Sequence, residues 1–277
     1  MNDLKRVAAI HDMSGYGKCS LTVVIPVMSA LGIEVCPVPT ALLSTHTAGF
    51  TGYTFNDLTD DMDAFLKHWK TLDLNIDCIY SGFLGSERQI DIVCDYIDTF
   101  KSAMVAVDPV MGDNGKIYAT YNEDMCRGMR VLAGRADVVV PNLTEAAYIL
   151  EETYPESGTL SEEDALKWLK KLCDMGPHTA VITGLSDGDE LFNAGYEKST
   201  GELTISRCKR IPGNFHGTGD LYSSILISGL MKGDSLKSSL DKATEFVYIC
   251  AKDAHDINLP TNLGVRFEKY MKQLIEL

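Results

Sequence analysis

Short apolar runs alternate with stretches of helical period along most of the chain. Residues 6–10, 104–108 and 137–140 are runs of the kind found in strands that are covered on both faces. Stretches such as residues 20–31 and 122–132 place their apolar side chains on one side of a helix. Strands that alternate with helices in this way predict an α/β fold, with a mostly parallel sheet covered by helices on both faces.

Further elements continue the same alternation. The sequence predicts strands at residues 33–42, 77–81 and 179–183, and helices at residues 58–69, 86–101, 142–151 and 161–175. Pro37 and Pro39 make the second strand irregular or place part of it at a sheet edge. Residues 11–17 are predicted as a polar glycine turn, and residues 43–55 and 109–121 as loops.

The last third of the chain changes character. Two runs at residues 191–197 and 203–208, joined through Ser199-Thr200-Gly201, predict an antiparallel hairpin. Three helices then follow, at residues 219–232, 235–254 and 264–276. Because no internal repeat or long linker interrupts the pattern, residues 1–277 are predicted to form one domain.

The composition fits a folded protein with a sizeable core. Of the 277 residues, 45% are apolar and 23% are charged, which excludes the disordered and fibrous classes. The formal charge of −14 argues against binding to nucleic acid or to an anionic membrane, since no cationic field would attract phosphate groups. Eight widely spaced cysteines without a C-x-x-C pair indicate reduced thiols and a cytoplasmic protein. No apolar stretch is long enough to predict a signal peptide or a membrane span.

Ligands of parallel α/β sheets bind at the carboxyl ends of the strands, so the turns after the strands are the informative positions. Five such turns carry polar or glycine-rich sequence, at residues 11–17, 80–85, 108–115, 142–145 and 213–220. We expect these turns to meet around one ligand.

The last of these turns ends in Gly217-Thr218-Gly219-Asp220 and runs directly into a predicted helix. Its glycines let backbone N–H groups converge, and the helix dipole adds partial positive charge, so the turn suits an anion. An acid in such a turn needs a task of its own, and removing the proton from an attacking hydroxyl indicates phosphoryl transfer. The alternative is that Asp220 only complements the helix N-terminus and that the glycines only form the turn.

Two other turns hold candidate metal and nucleotide ligands. Asp108 ends a strand and Asp113 follows in the loop, where carboxylates can hold Mg²⁺ through water beside triphosphate oxygens. Asp108 can instead bond the amides of its own turn. Asn142 and Glu145 form an N-x-x-E pattern that is also a helix capping box, and these residues alone favour the cap.

The first glycine turn matches neither common nucleotide-binding pattern. A phosphate-binding loop needs glycine where Asp12 stands and Ser or Thr where Cys19 stands, and the dinucleotide pattern needs glycine at Ser20. Asp12 and Ser14 are therefore predicted to reach a substrate, with the alternative that Ser14 simply shapes the turn.

Taken in order, these motifs resemble the ribokinase-like superfamily and, within it, the vitamin B6 and pyrimidine kinases, over nearly the whole chain. The resemblance rests on Ser81-Gly82-Phe83-Leu84-Gly85-Ser86, Asp108-Pro109-Val110-Met111-Gly112-Asp113, Pro141-Asn142-Leu143-Thr144-Glu145 and Gly217-Thr218-Gly219-Asp220. It implies a ribokinase-like three-layer α/β/α sandwich, a homodimer, and a small-molecule substrate with ATP and Mg²⁺. Whether K⁺ is also needed stays open.

The resemblance also implies a role for each candidate residue. Asp220 is the expected base, with Gly217, Thr218 and Gly219 around the transferring group. The expected ATP ligands are Asp113, Asn142, Glu145, Thr183, Gly184 and Thr218, and Asp113 and Glu145 are expected to hold the metal through water. The expected substrate contacts are Asp12, Ser14, His46, Thr47 and Phe83.

Single residues separate the branches of this superfamily. Asp220 and Asp113 resemble pyridoxal kinases, and Ser44-Thr45-His46-Thr47 resembles their substrate loop. Asp12 lies in a turn that resembles that of the pyrimidine kinases, and Phe83 replaces a usual tyrosine but can still stack on a flat ring. We expect ATP-dependent phosphorylation of the 5′-hydroxymethyl group of pyridoxal, pyridoxamine or pyridoxine. The alternatives are a hydroxymethylpyrimidine kinase of thiamine synthesis and a non-catalytic binder of a B6 vitamer or nucleotide.

Overall fold

The computed structural model describes residues 4–119 and 121–276. Its strands are β1 (Arg6–Tyr16), β2 (Glu34–Thr45), β3 (Phe55–Asp57), β4 (Cys78–Ser81), β5 (Met104–Val107), β6 (Gly112–Asp113), β7 (Lys116–Ile117), β8 (Val138–Val139), β9 (Thr179–Asp187), β10 (Glu190–Glu197) and β11 (Leu203–Lys209). Its α-helices are α1 (Leu21–Ala30), α2 (Thr59–Trp69), α3 (Glu87–Thr99), α4 (Glu123–Gly134), α5 (Leu143–Leu150), α6 (Glu162–Asp174), α7 (Thr218–Lys232), α8 (Leu236–Asp256) and α9 (Met271–Glu276). Among these described helices, none has both the length and the apolar character needed to cross a membrane.

Nine of the described strands form one sheet, in the order β11-β10-β9-β8-β5-β4-β1-β2-β3. Neighbouring strands from β9 to β2 are parallel, whereas β10 and β11 at one edge and β3 at the other run antiparallel to their neighbours. The predicted α/β sheet with a late antiparallel hairpin is confirmed.

Helices cover both faces of the sheet, because alternate side chains of the central strands enter two different cores. Val7 and Ala9 of β1 share a core with residues of α1, α7 and α8, while Ala8 and Ile10 share the other with residues of α2 to α6. All four side chains are fully buried. Because both faces of the strand are buried, residues 7–10 are apolar without alternation, and burying Val7 or Ile10 contributes about 1.5–3 kcal/mol.

The first strand is longer than predicted. The sequence predicts a polar turn at residues 11–17, but β1 continues to Tyr16 and stays paired with β2. Glycine serves a close approach of two strands here, since a Cβ on Gly15 would lie 3.3 Å from the carbonyl oxygen of Ser44. Because β2 stays paired with β1 as far as Thr45, the loop predicted at residues 43–55 begins only after β2, and it ends where β3 starts.

Two further predictions are wrong in detail. The loop predicted at residues 109–121 contains a small hairpin of β6 and β7. In place of the helix predicted at residues 264–276, the chain has a short 3-10 helix, Phe267–Tyr270, followed by α9. Gly264 has a φ of 70°, in the left-handed region, so the backbone leaves helical geometry at that residue.

The segment after α8 joins that helix to two loops at the carboxyl edge of the sheet. The carboxylate of Asp253 accepts hydrogen bonds from three side chains of the segment, Arg266 (2.6 Å), Lys269 (2.6 Å) and Tyr270 (2.9 Å). Earlier in the segment, the carbonyl oxygen of Thr261 accepts from the amide of His216 at 3.2 Å. The carbonyl oxygen of Asn262 accepts from the Nε2 of His46 at 2.8 Å. The C-terminal segment thus supports loops that carry candidate site residues.

We expect Asp253→Asn to weaken this attachment in a pH-dependent way. Burial raises the pKa of Asp253, but hydrogen bonds from Lys269, Arg266 and Tyr270 outweigh it and bring the pKa to about 2. A carboxyl group whose pKa lies below its unfolded value of about 3.9 stabilises the fold at neutral pH and loses that contribution as the pH falls towards 2. Urea unfolding should show a loss of about 1–2 kcal/mol at pH 7 that shrinks by pH 3.

The matched control for this variant is Asp256→Asn. Asp256 lies in the last turn of the same helix and pairs with the exposed Lys252, so its removal should change the free energy of unfolding by less than about 0.5 kcal/mol. A loss in Asp253→Asn that is the same at pH 7 and pH 3 would contradict the assignment to the carboxylate charge.

Candidate active site

The candidate site lies at the edge of the sheet where the parallel strands end and α7 begins. β1, β4, β5 and β8 are neighbours in the sheet and direct their carboxyl ends to this edge. Asp12, Asp108 and Asp220 lie close enough here that the charges of the first two raise the pKa of the third. The turns that the sequence singled out are therefore brought together by the sheet.

The glycine turn forms the N-terminus of α7. Gly217 is the N-cap residue and has a φ of 74°, in the left-handed region. A Cβ at this position would lie 1.8 Å from the carbonyl oxygen of Lys18, so only glycine fits without displacing the chain. Thr218 donates its hydroxyl to the carbonyl oxygen of Phe215 at 2.8 Å, and the space above Gly219 is open. The first N–H groups of the helix have no intrahelical acceptor, so this open space suits an anion.

Asp220 lies in the first turn of α7 with its carboxylate beside β1. Its Oδ2 accepts a hydrogen bond from the amide of Ser20 at 2.8 Å, and its side chain is 13% exposed. Burial is the main cause that raises the pKa of Asp220 to about 7; the bond from Ser20 opposes the rise, and the charges of Asp108 and Asp12 add to it. A carboxyl group that titrates near neutral pH is suited to proton transfer.

Two further acids, Asp108 and Glu145, lie near Asp220. Asp108 is buried and accepts a hydrogen bond from the hydroxyl of Ser223 at 2.9 Å, and burial raises its pKa to about 7. Burial first and the charge of Asp108 second raise the pKa of Glu145 well above its ordinary value. Two carboxylates this close disfavour ionisation of both, and a cation would relieve the repulsion.

The capping box at the start of α5 is formed as the sequence predicts. Asn142 Oδ1 accepts from the Glu145 amide at 3.0 Å, and Glu145 Oε2 accepts from the Asn142 amide at 2.8 Å. The other carboxylate oxygen of Glu145 accepts from the amide of Met111 at 3.2 Å. Asn142 also donates its side-chain amide to the carbonyl oxygen of Gly112 at 2.9 Å, which ties the cap to the β6–β7 hairpin.

Asp113 connects this hairpin to the glycine turn. Its Oδ2 accepts from the side-chain amides of Asn114 and Asn214, both at 2.9 Å. Residue 112 must be glycine for the hairpin to close, because a Cβ there would lie 2.3 Å from the carbonyl oxygen of Lys116. The hairpin therefore holds an acid over the turn that begins α7.

The acids fit a cation that keeps its own water. No group of three or more His, Cys, Asp or Glu side chains in the described part of the chain could enclose a metal ion directly. Both oxygens of Glu145 already accept hydrogen bonds from backbone amides, which favours contact with a metal through water. Mg²⁺ retains several waters and takes few protein ligands, so this set of donors suits it.

On the substrate side, Asp12 and His46 are both held in place. Asp12 accepts from the hydroxyls of Ser20 at 2.5 Å and Ser14 at 3.0 Å, and burial raises its pKa. The side chain of Ser14 is fully buried, and its hydroxyl donates its hydrogen bond to Asp12. The Nδ1 of His46 accepts from the amide of Ala48, so Nε2 carries the proton that reaches the carbonyl of residue 262.

The remaining predicted residues are spread around the same edge. Thr47 is exposed, and Phe83 is half-buried with its ring centroid 6.3 Å from that of Tyr121. Thr183 forms a parallel bridge with Asn142. Gly184 has a φ of 75° and donates its amide to Asn193 Oδ1 at 2.9 Å. Thr183 and Gly184 therefore lie beside the capping box.

Sequence reasoning missed two side chains at this site. His11 is fully buried, with its Nδ1 4.0 Å from Asp220 Oδ1, and Asn214 bonds Asp113. The available signal for His11 was its position at the end of an apolar strand, but it was grouped with a polar turn. Nothing in the local sequence separates Asn214 from an ordinary turn residue.

The comparison with known proteins decides the family. The model of the phosphomethylpyrimidine kinase family matches residues 24–263. The chain belongs to this family. Among relatives of known activity, the pyridoxal kinase of Arabidopsis thaliana is 29% identical over 266 residues, which cover 88% of this chain and 79% of the relative.

Solved structures of this family share the fold over the whole chain. A candidate phosphomethylpyrimidine kinase from Bacteroides thetaiotaomicron is 39% identical with a TM-score of 0.95, covering 99% of this chain and 94% of the other. An orthorhombic form of that protein contains pyridoxal. The pyridoxal kinase of Lactobacillus plantarum is 27% identical with a TM-score of 0.91, covering 99% and 98%. The expectation of a kinase with the ribokinase-like fold is confirmed.

We expect Gly217→Ala to destabilise the protein, because the new Cβ would meet the carbonyl of Lys18 and the left-handed backbone would be strained. The free energy of unfolding should fall by about 2–3 kcal/mol. The control is Gly219→Ala in the same turn, where the added Cβ has open space, and it should change the free energy by less than about 1 kcal/mol. Urea unfolding measures both, and equal values for the two variants would contradict the prediction.

Proposed function

We propose that this kinase transfers the terminal phosphoryl group of ATP to the 5′-hydroxymethyl group of pyridoxal, pyridoxamine or pyridoxine. The observation that carries the proposal is the carboxylate of Asp220 at the mouth of the glycine turn, with its pKa raised to about 7 by burial. The pyridoxal kinases among the relatives and the pyridoxal in the Bacteroides thetaiotaomicron structure support the substrate class.

Asp220 takes the proton of the substrate hydroxyl in this mechanism. The hydroxyl oxygen forms a bond to the γ-phosphorus while the bond from the γ-phosphorus to the bridging oxygen breaks, and ADP leaves. The backbone amides of Gly217, Thr218 and Gly219 stabilise the charge on the transferring group. A preorganised donor of this kind lowers the free energy of the transition state by about 3–4 kcal/mol.

ATP is held on the opposite side of the turn from the substrate. Asn142, Thr183 and Gly184 lie beside one another, which supports their assignment to ATP together with Thr218. Asp113 and Glu145 would hold Mg²⁺ through water, and the ion would neutralise charge on the β- and γ-phosphates. The mutual repulsion of Glu145 and Asp108 supports a cation there.

The acceptor ring lies near β1 and the loops after β2 and β4. His46 cannot rotate freely because both ring nitrogens bond the backbone. We assign His46, Thr47 and Asp12, which Ser14 supports by its hydrogen bond, to the polar edge of the substrate, and Phe83 to its flat face.

Removing the proposed base tests the mechanism. Asp220→Asn keeps the shape of the side chain but cannot accept the proton, so turnover with pyridoxal and ATP should fall by at least about 100-fold. ADP release measures turnover, and the thermal unfolding midpoint shows whether the fold is intact. Asp256→Asn serves as a control for loss of a carboxylate away from the site. Wild-type turnover in Asp220→Asn would refute the base assignment.

A second candidate function is phosphorylation of hydroxymethylpyrimidine. Asp12 favours it, because the sequence around Asp12, which the structure places in β1, resembles a turn of the pyrimidine kinases. We expect kcat/KM to be at least about 10-fold higher for pyridoxal or pyridoxamine than for hydroxymethylpyrimidine, the range that a few pocket contacts provide. The reverse order would assign the protein to pyrimidine phosphorylation, and ADP release with none of these substrates would leave a non-catalytic binder.

We also propose a homodimer, with residues 1–277 acting as one catalytic domain in the cytoplasm. All eight cysteines are unbridged, in keeping with a reducing compartment. Met13 and Leu42 are paired on adjacent strands and are 38% and 49% exposed, and Tyr16 beyond them is 57% exposed. Exposed apolar side chains grouped in this way favour a protein contact.

Sedimentation equilibrium tests the dimer. The wild-type protein should sediment at twice the mass of one chain at micromolar concentration, and Leu42→Lys should shift it towards the monomer, because burying an unpaired charge is costly. Val131→Lys, at an exposed apolar position on α4, is the matched control and should leave the mass unchanged. A monomeric wild-type protein would contradict the proposal.

A further inference from the structure

A layer of buried polar side chains lies between the sheet and the first turns of α7. On the sheet side are His11 of β1, Tyr80 of β4 and Asp108 after β5, and on the helix side are Ser223 and Ser224, with Asp220, which is 13% exposed, at the rim of the layer. The rings of His11 and Tyr80 meet edge to face with centroids 4.3 Å apart. Ser223 bonds Asp108, so this pair is satisfied. His11, in contrast, has no hydrogen-bond partner for either ring nitrogen among the described residues.

His11 is the least satisfied side chain of this layer. It is fully buried, and neither ring nitrogen has a hydrogen-bond partner among the described residues. Leaving a buried polar group unpaired costs about 1–3 kcal/mol. An apolar residue would avoid that cost, so a histidine at this position calls for an explanation beyond packing.

The ring of His11 is held in one position. Residue 82 packs so closely against it that a Cβ there would lie 2.1 Å from Nδ1 and 2.4 Å from Cε1. Gly82 is itself fixed by a hydrogen bond from its amide to the carbonyl oxygen of Ile10 at 3.0 Å. Tyr80 contacts the ring from another side. The ring therefore has little freedom to turn away from α7.

This fixed ring points one nitrogen at the proposed base. His11 Nδ1 lies 4.0 Å from Asp220 Oδ1, while the other oxygen, Oδ2, already accepts from the amide of Ser20. A distance of 4.0 Å is about 1 Å longer than a hydrogen bond. Hydrogen bonds of catalytic groups are often long in an empty site and tighten when the reacting complex forms.

We propose that His11 is a positioning residue, which donates its Nδ1 proton to Oδ1 of Asp220 when substrate and ATP are bound. The bond would fix the plane of the carboxylate and favour its ionised form, so that the remaining lone pairs face the substrate hydroxyl. His11 is neutral in this role, because burial lowers its pKa to about 3. This inference rests on the proposed function, since it assigns a partner to the proposed base.

The pH dependence of kcat at saturating pyridoxal and ATP tests the proposal, because kcat reports groups in the complex in which the bond forms. In the wild-type protein kcat should rise with pH as Asp220 loses its proton. His11→Leu removes the donor, so the midpoint of this rise should move up by about one pH unit. We expect kcat at pH 7 to fall by about 10- to 100-fold, with KM for both substrates within about threefold. The titratable groups that face Asp220 from neighbouring elements are Asp12, Cys19, Tyr80, Asp108 and Tyr118, and all remain in this variant.

Two matched variants separate positioning from packing. His11→Asn keeps an N–H donor near the place of Nδ1 and should return the midpoint to the wild-type position and kcat to within about threefold of wild type. Ser224→Ala removes an equally buried and unpaired hydroxyl from the same layer and should leave the midpoint unchanged. If His11→Leu and His11→Asn share one pH profile, or if Ser224→Ala shifts the midpoint as much as His11→Leu, the proposal is wrong.

The tautomer of His11 in the wild-type protein gives a test that needs no variant to fold. Nitrogen NMR of histidine-labelled protein with pyridoxal and a non-hydrolysable ATP analogue should show the proton on Nδ1. A proton on Nε2 would overturn the proposal. Failure of the wild-type protein to release ADP with pyridoxal would count against the proposed function, whereas an active wild type with an Nε2 proton counts against this inference alone.

Discussion

Three carboxyl groups with little exposure to solvent lie close together at the strand ends, and the arrangement around them follows from the cost of burying charge. A buried carboxylate is tolerated when hydrogen-bond donors face it or when it takes up a proton. Asp220 receives the amide of Ser20, Asp108 receives the hydroxyl of Ser223, and Glu145 receives two backbone amides. These donors do not fully offset the burial, since all three pKa values remain raised. These carboxyl groups therefore favour the binding of protons and cations, and phosphoryl transfer from ATP requires both a proton acceptor and a cation.

The donors that face the acids come from parts of the chain that are far apart, and this is why the fold matters to the site. Ser20 lies between β1 and α1 and meets α7 because those two helices pack on the same face of the sheet. Asn214 reaches Asp113 across 101 positions of sequence and joins the hairpin to the glycine turn. The C-terminal segment is fixed to α8 through Asp253 and bonds the side chain of His46 and the backbone amide of His216. Displacing Ser20 would remove a donor from Asp220, and displacing Asn214 would remove one from Asp113.

The sequence was sufficient to predict elements that depend on local pattern. It was insufficient for elements that depend on residues far away in the chain. The apolar run at residues 6–10 and the helical spacing after Asp220 depend on period, and both predicted the elements that the structure has. The length of β1 depends instead on a partner, since β2 continues beside it beyond the other strands. His11 follows the same rule. Its burial depends on Gly82 and on α7, so its neighbours in sequence indicated a polar turn where the structure has a buried strand.

The capping box at Asn142 and Glu145 shows why a structural and a functional interpretation need not compete. Sequence reasoning treated the cap and the nucleotide site as alternatives, yet both depend on the same feature, a carboxylate at a helix start. The cap fixes the side chain of Glu145 through the amides of Asn142 and Met111, and Asn142 in turn holds Gly112 of the hairpin that carries Asp113. A carboxylate fixed in this way loses little further conformational entropy when a hydrated cation arrives. The cap is therefore the means by which the acid would be preorganised, and its presence supports a binding role for Glu145.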